Sequence, residues 1–136
     1  MSEFVDTNIL IYAHDRSAGQ KHDRAVDLVV QLTEDGSGAL STQVLIEFYA
    51  VATRKLRRPV EEAEAALEDL GCWTIHRLEH ADLMRAVRLQ RRYRISWWDA
   101  LIINSAMELG CEIVWSEDLS HGQRFGSVRV QDPFVS

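Results

Sequence analysis

The chain has 136 residues, 46% of them hydrophobic and 26% charged, enough for one domain with a proper core, whereas two would be cramped. Its formal net charge of −6 taken alone argues against a nucleic-acid partner. No apolar run approaches the roughly 20 residues of a membrane helix, and no basic region precedes an apolar stretch at the N-terminus, so a cytoplasmic protein is expected. Cys72 and Cys111 match no metal-ligand spacing and are read as reduced thiols.

Glu3-Phe4-Val5-Asp6 reads as a short strand, followed at once by an apolar helix from Ile9 to Ala13. The chain turns around Arg16 to Gln20, and Ala25, Leu28, Val29 and Leu32 give Lys21 to Glu34 a helical period. Asp35-Gly36-Ser37-Gly38 is a turn, Ala39-Leu40-Ser41 a brief strand, and Ser41 or Thr42 a cap for a helix predicted to reach about Leu56, before Pro59. A short amphipathic helix is predicted from Glu61 to Leu70, a strand at Trp73-Thr74-Ile75, and an Arg-bearing helix from Ala81 to Tyr93. Ser96 caps the next helix, Trp97 to Leu109, closed by Gly110. Glu112 to Trp115 and Ser127 to Val130 are the last two strands. Short strands alternating with helices imply parallel crossovers, hence a three-layer α/β/α domain over residues 1–136. Ligands of such sheets sit at the carboxyl ends of the strands, near a topological switch point.

Four acids stand out against that frame. Glu47 lies in Val44-Leu45-Ile46-Glu47-Phe48-Tyr49-Ala50-Val51. At about 100° per residue it falls between Ala50 and Val51, among side chains expected to face the core. A carboxylate there is costly unless paired or metal-bound, and the plain alternative is a Glu at the margin of the stripe. Asp99 stands third in the helix that Ser96 caps, where a capping box alone would account for it. The apolar run Ala100-Leu101-Ile102-Ile103 that follows suggests that this helix start is buried, and its positive dipole end would favour an ionised carboxylate. Asp6 is open to reading as a helix cap and Asp118 as a turn residue. Capping and turn chemistry do not explain why acids recur at strand ends and helix starts along one sheet edge. Four clustered carboxylates repel one another, and at least one should take up a proton unless cations are present; the chemistry that uses such a cluster is phosphoryl transfer with hard ions such as Mg²⁺ or Mn²⁺.

Other signatures are weak or missing. The five His show no paired ligand spacing, and there is no Gly-rich phosphate loop and no Gly-x-Ser-x-Gly. Trp73, Trp97, Trp98 and Trp115 are able to stack on bases, although packing is the default for most of them. Of the 15 Lys and Arg, nine lie in two stretches, Arg54, Lys55, Arg57 and Arg58, then Arg85, Arg88, Arg91, Arg92 and Arg94. Arg85, Arg88 and Arg92 share one helical face and are candidates for RNA contact, the alternatives being a solvated surface or a partner interface.

In order along the chain, Phe4-Val5-Asp6-Thr7-Asn8-Ile9-Leu10, Ser41-Thr42-Gln43-Val44-Leu45-Ile46-Glu47-Phe48, Trp98-Asp99-Ala100-Leu101-Ile102 and Trp115-Ser116-Glu117-Asp118-Leu119 resemble the four acid motifs of the PIN-domain family. Within that family the resemblance is to the VapC-type ribonuclease toxins of toxin–antitoxin pairs, and it spans nearly the whole chain. It implies a flavodoxin-like parallel sheet, endonucleolytic cleavage of RNA, dependence on Mg²⁺ or Mn²⁺, a homodimer, and a small antitoxin whose tail blocks the active-site groove. Asp6, Glu47, Asp99 and Asp118 inherit the metal-binding and catalytic roles, and Thr7, Asn8 and Ser116 match polar positions that support the acids. Glu117 competes with Asp118 for the fourth position, and Asp118 is preferred because it stands two residues after Ser116.

A receiver-like phospho-acceptor domain would share the fold, but it wants adjacent acids at the first strand and a Lys near the end. Here the strand runs into Asp6-Thr7-Asn8, and the Lys residues are Lys21 and Lys55. A haloacid-dehalogenase-type phosphatase wants a second Asp where Asn8 stands. A non-catalytic scaffold would have no use for four costly acids.

Overall fold

A computed structural model describes residues 1–135. Its strands are β1 (Glu3–Val5), β2 (Gly38–Ser41), β3 (Thr74–His76), β4 (Ile113–Trp115), β5 (Arg124–Phe125) and β6 (Val128–Gln131). They form one sheet in the order β3-β2-β1-β4-β6-β5, parallel throughout except for β5 against β6. The helices are α1 (Thr7–Ala13), α2 (Gln20–Asp35), α3 (Thr42–Arg54), α4 (Val60–Leu70), α5 (His80–Tyr93) and α6 (Trp97–Glu108). Their mutual contacts fall into two groups, α1 with α2 and α3, and α3 with α4, against α5 with α6. The result is the expected three-layer α/β/α arrangement.

The central strands are covered on both faces, so their residues are continuously apolar rather than alternating. Phe4, Val5, Ala39, Leu40 and Val114 are all fully buried. Local signals set the helix ends. The Ser41 hydroxyl accepts the Val44 N–H at 3.3 Å at the start of α3, and Gly36 ends α2 in a left-handed conformation, φ 68°, which a residue without Cβ adopts freely. α3 stops at Arg54, two residues before the expected end, and Arg57 reverses the chain at φ 53° ahead of Pro59.

Two further departures from the sequence reading bear on function. β5, which pairs antiparallel with β6 at the sheet edge, has two residues, too few to show a period. The first turn of α6 is not buried. Ala100 to Ala106 are inside, but Asp99 is half-buried and Trp98 is exposed. Among the described residues no helix is long and apolar enough to cross a membrane. Cys72 and Cys111 are both free, as expected.

β2 begins under the indole of Trp73, which donates through Nε1 to Thr33 Oγ1 at 3.0 Å. A Cβ at Gly38 would lie 2.5 Å from Trp73 Cδ2, closer than packed carbon atoms approach. Gly38→Ala is therefore expected to destabilise the fold by about 1–3 kcal/mol through overpacking. The check is a lower urea midpoint at unchanged slope.

Candidate metal and catalytic centre

β1 has β2 on one side and β4 on the other. The chain leaves β1 towards β2 and later crosses to β4, so the carboxyl ends of β1 and β4 open the crevice expected at a switch point. Their register places Val5 opposite Trp115, and the next residues on each strand, Asp6 and Ser116, therefore meet. The Asp6 N–H continues the ladder to the Trp115 carbonyl at 3.0 Å. Ser116 Oγ donates to Asp6 Oδ2 at 2.7 Å and accepts the Asp118 N–H at 3.1 Å. One buried hydroxyl thus holds Asp6 and sets the backbone of Asp118.

Asp6 caps α1. Its Oδ1 accepts the Thr7 N–H at 2.7 Å, and Asn8 Nδ2 donates to its Oδ2 at 3.3 Å. Capping and the site are therefore not alternatives here, because the carboxylate does both. Asp6 is 5% exposed. Burial pushes its pKa up to about 7, against the lowering effect of the Ser116 and Thr7 hydrogen bonds, and the charges of Asp118 and Asp99 add to the rise.

Asp99 reaches the same crevice from the opposite helix group. Ser96 Oγ accepts its N–H at 3.1 Å, fixing the first turn of α6. Burial raises the Asp99 carboxyl above its ordinary range, and the Asp118 and Glu47 charges push in the same direction against the Ser96 hydrogen bond. One carboxylate oxygen from each of Asp6, Asp99 and Asp118 lies within 4.8 Å of the others.

Glu47 stands beside this triad rather than in it. It is half-buried, not core-facing, because that side of α3 meets Thr7 at the start of α1. Thr7 Oγ1 donates to its Oε2 at 3.2 Å and Gln43 Nε2 to its Oε1 at 2.8 Å. Gln43 also donates to the Trp98 carbonyl at 3.3 Å, joining α3 to the first turn of α6. The second acid motif includes Gln43 but gives it no role. The available signal was a polar residue one helical turn before Glu47 on the same face.

The structure separates the two adjacent acids of the last motif. Glu117 turns away, accepting from the Tyr12 hydroxyl at 2.7 Å and pairing with Lys21. Burial opposes its ionisation, but Lys21 and Tyr12 hold its carboxylate below the usual range. The Glu117 N–H donates to Asn8 Oδ1 at 3.4 Å, so Asn8 braces both Asp6 and this loop. His121 Nδ1 accepts the Asp132 N–H at 3.1 Å and is a loop staple.

The basic stretches divide in the same way. Arg58 gives Nε and Nη2 to the His14 carbonyl at 3.1 and 2.7 Å and pairs with Glu62, while Arg54, Lys55 and Arg57 are exposed. Arg85 pairs with Asp82 at 2.8 Å and Glu108 at 2.9 Å, so its guanidinium is occupied within the fold. Arg88 and Arg92 are exposed and, among the described residues, have no ion-pair partner.

Residues 4–123 match the PIN domain. The chain is 30% identical to the ribonuclease VapC24 of Mycobacterium tuberculosis, over 97% of each chain. Among solved structures it is similar to a toxin–antitoxin complex from Klebsiella pneumoniae, with 22% identity, a TM-score of 0.70 and 98% of each chain covered. It is likewise similar to Mycobacterium tuberculosis VapC20, described as a sarcin–ricin loop cleaving toxin, with 18% identity, a TM-score of 0.68, and 86% of this chain and 92% of that one covered.

The raised carboxyl of Asp6 has a consequence for stability. Between the ordinary value of 3.8 and about 7 the folded state holds a proton on Asp6 that the unfolded chain has lost. In that window the metal-free protein should lose stability as pH rises, by up to about 1.4 kcal/mol per pH unit from this group. Urea unfolding in a chelator between pH 5 and 7 reads the slope. Asp6→Asn should flatten it. A divalent ion at about 100 times its dissociation constant should add roughly 2.7 kcal/mol at pH 7.

Proposed function

Because this chain belongs to the PIN domain family, we propose that it is a divalent-metal-dependent endoribonuclease, the toxin of a type II toxin–antitoxin pair. The observation that carries the reading is the convergence of Asp6, Asp99 and Asp118 at the mouth between β1 and β4. The 30% identity to a ribonuclease over nearly the full length supports the choice of RNA. The antitoxin rests on the VapC-type resemblance and on structural neighbours solved as toxin–antitoxin complexes. A homodimer and a cytoplasmic location belong to the same reading.

The residues fit a hard cation. All the donors are carboxylate oxygens, which suits Mg²⁺ or Mn²⁺ and not a soft metal. Among the described residues no cationic side chain lies against the buried Asp6, a state that an ion would relieve. When bound, the ion supplies Lewis acidity and lowers the pKa of water for attack on a phosphodiester.

The chain's own residues supply the frame. Ser116, Thr7 and Asn8 fix the Asp6 carboxylate in one orientation. Asp118, on the exposed side, and Asp99, half-buried, present oxygens towards the solvent from which a phosphate would arrive. Glu47, held by Thr7 and Gln43, contributes negative charge on the Asp99 side. Arg88 and Arg92, free of ion pairs, remain candidates for the RNA backbone; Arg85 joins them in our reading only if RNA displaces its acidic partners.

The test is incubation of the purified chain with total RNA, with and without Mg²⁺ or Mn²⁺. Cleavage should require the ion and fall by at least about 100-fold in Asp6→Asn, with a similar loss in Asp99→Asn, which retains the Ser96 cap. Glu117→Gln breaks the pair with Lys21 and should leave cleavage near the parent's. Metal-independent cleavage, or full activity in Asp6→Asn, would remove the acid cluster from the chemistry.

A further inference from the structure

The four tryptophans have different fates. Trp73 and Trp115 are buried, at 7% and 8% exposure. Trp97 packs against Ala86, Ala100 and Leu101. Trp98 alone among them is exposed, at 60%. It stands immediately before Asp99, in a turn fixed twice, by the Ser96 cap and by the Gln43 bond to its carbonyl. Ile46 is exposed at 70%, immediately before Glu47. It follows Gln43 by three residues and so lies on the same side of α3.

Single exposed apolar side chains are ordinary and need no explanation. Here two of them each adjoin a site acid, and Gln43 joins the turns that carry them. We propose that Trp98, with Ile46 beside it, forms a nucleobase-binding subsite that seats a base flanking the phosphate to be cut. The inference rests on the ribonuclease reading above and adds the group that positions the substrate.

The physical case is one of complementary needs. The acid cluster, once it holds a cation, attracts the phosphate but exerts no hold on the sugar or base. The net charge of −6 makes the surface a poor long-range attractor of RNA, so affinity must come from short-range contacts. An indole offers a flat apolar face on which any base stacks, worth about 1–3 kcal/mol and tolerant of sequence. Its backbone is already fixed, so only the two side-chain torsions remain to be ordered on binding. Trp98 would thus be a positioning residue whose effect falls on binding more than on the chemical step.

The experiment measures cleavage of a single-stranded RNA oligonucleotide by the full chain and by Trp98→Ala, Trp98→Phe and Ile46→Ala. Trp98→Ala should raise KM by about 10-fold, the factor into which about 1.4 kcal/mol of lost stacking converts, with kcat within about twofold of the parent. Trp98→Phe should recover most of the loss. An abasic nucleotide beside the cut should weaken the parent's binding and erase its advantage over Trp98→Ala. In the Asp6→Asn background, the same RNA should quench tryptophan fluorescence, and Trp98→Phe should remove that quench. Cleavage by the parent with unchanged KM in Trp98→Ala overturns the subsite alone. Unchanged cleavage together with a change in self-association or in antitoxin binding assigns Trp98 to a protein interface and also overturns it. If the parent neither cuts nor binds RNA, the ribonuclease reading fails and the subsite with it.

Discussion

The Asp6 carboxylate sits at the buried end of β1, fixed by three donors and crowded by two further acids, with no cationic side chain against it among the described residues. Folding has to remove that carboxylate from water, and the surrounding structure makes the burial tolerable without neutralising the charge. The parallel register of β1 and β4 supplies Ser116, the start of α1 supplies the Thr7 N–H, and Asn8 closes the remaining side. Hydrogen bonds orient the group and offset part of its desolvation, but they leave its pKa near 7. We propose that a divalent ion supplies the missing counter-charge.

A second buried acid in the same molecule shows the contrast. Asp82 is 3% exposed and works for the fold alone. Burial pushes its carboxyl up, but the Glu79 N–H, the Asn104 amide, the Arg85 guanidinium and His76 together bring it down to about 2. Its bonds are to Glu79 N at 2.8 Å, Arg85 Nη2 at 2.8 Å and Asn104 Nδ2 at 3.1 Å, and His76 in turn reaches Ser105 Oγ at 2.8 Å. This network ties β3, α5 and α6 with charge already compensated. Both side chains are shielded from solvent, but Asp6 is enclosed more deeply, and Asp82 has a side-chain cation against it where, among the described residues, Asp6 has none. In the reading proposed above, that difference separates an acid that serves the fold from one that awaits an external ion.

Much of this was legible in the chain. Strand ends and helix starts are local features, and they placed Asp6, Asp99 and Asp118 on one edge of the sheet. Helical periodicity put Glu47 on an inward side of α3 but could not show that the side faces a crevice, since that depends on Thr7, 40 residues away. The spacing from Ser116 favoured Asp118 over Glu117, but the partners that hold Glu117 away, Tyr12 and Lys21, are distant and no local pattern reveals them. Gln43 escaped notice because a glutamine on a helix is unremarkable until its neighbours are known. The division of labour between Trp97 and Trp98 likewise follows from how α6 sits on α5. Local rules described the elements, and long-range contacts decided which side chains were left free.

Diffraction from crystals grown with Mn²⁺, recorded where manganese scatters anomalously, tests the central claim most directly. The account predicts an anomalous peak within coordination distance of Asp6, Asp99 and Asp118 carboxylate oxygens, lost in Asp6→Asn. A peak at Glu117 instead, or a crevice without manganese at saturating concentration, would contradict it.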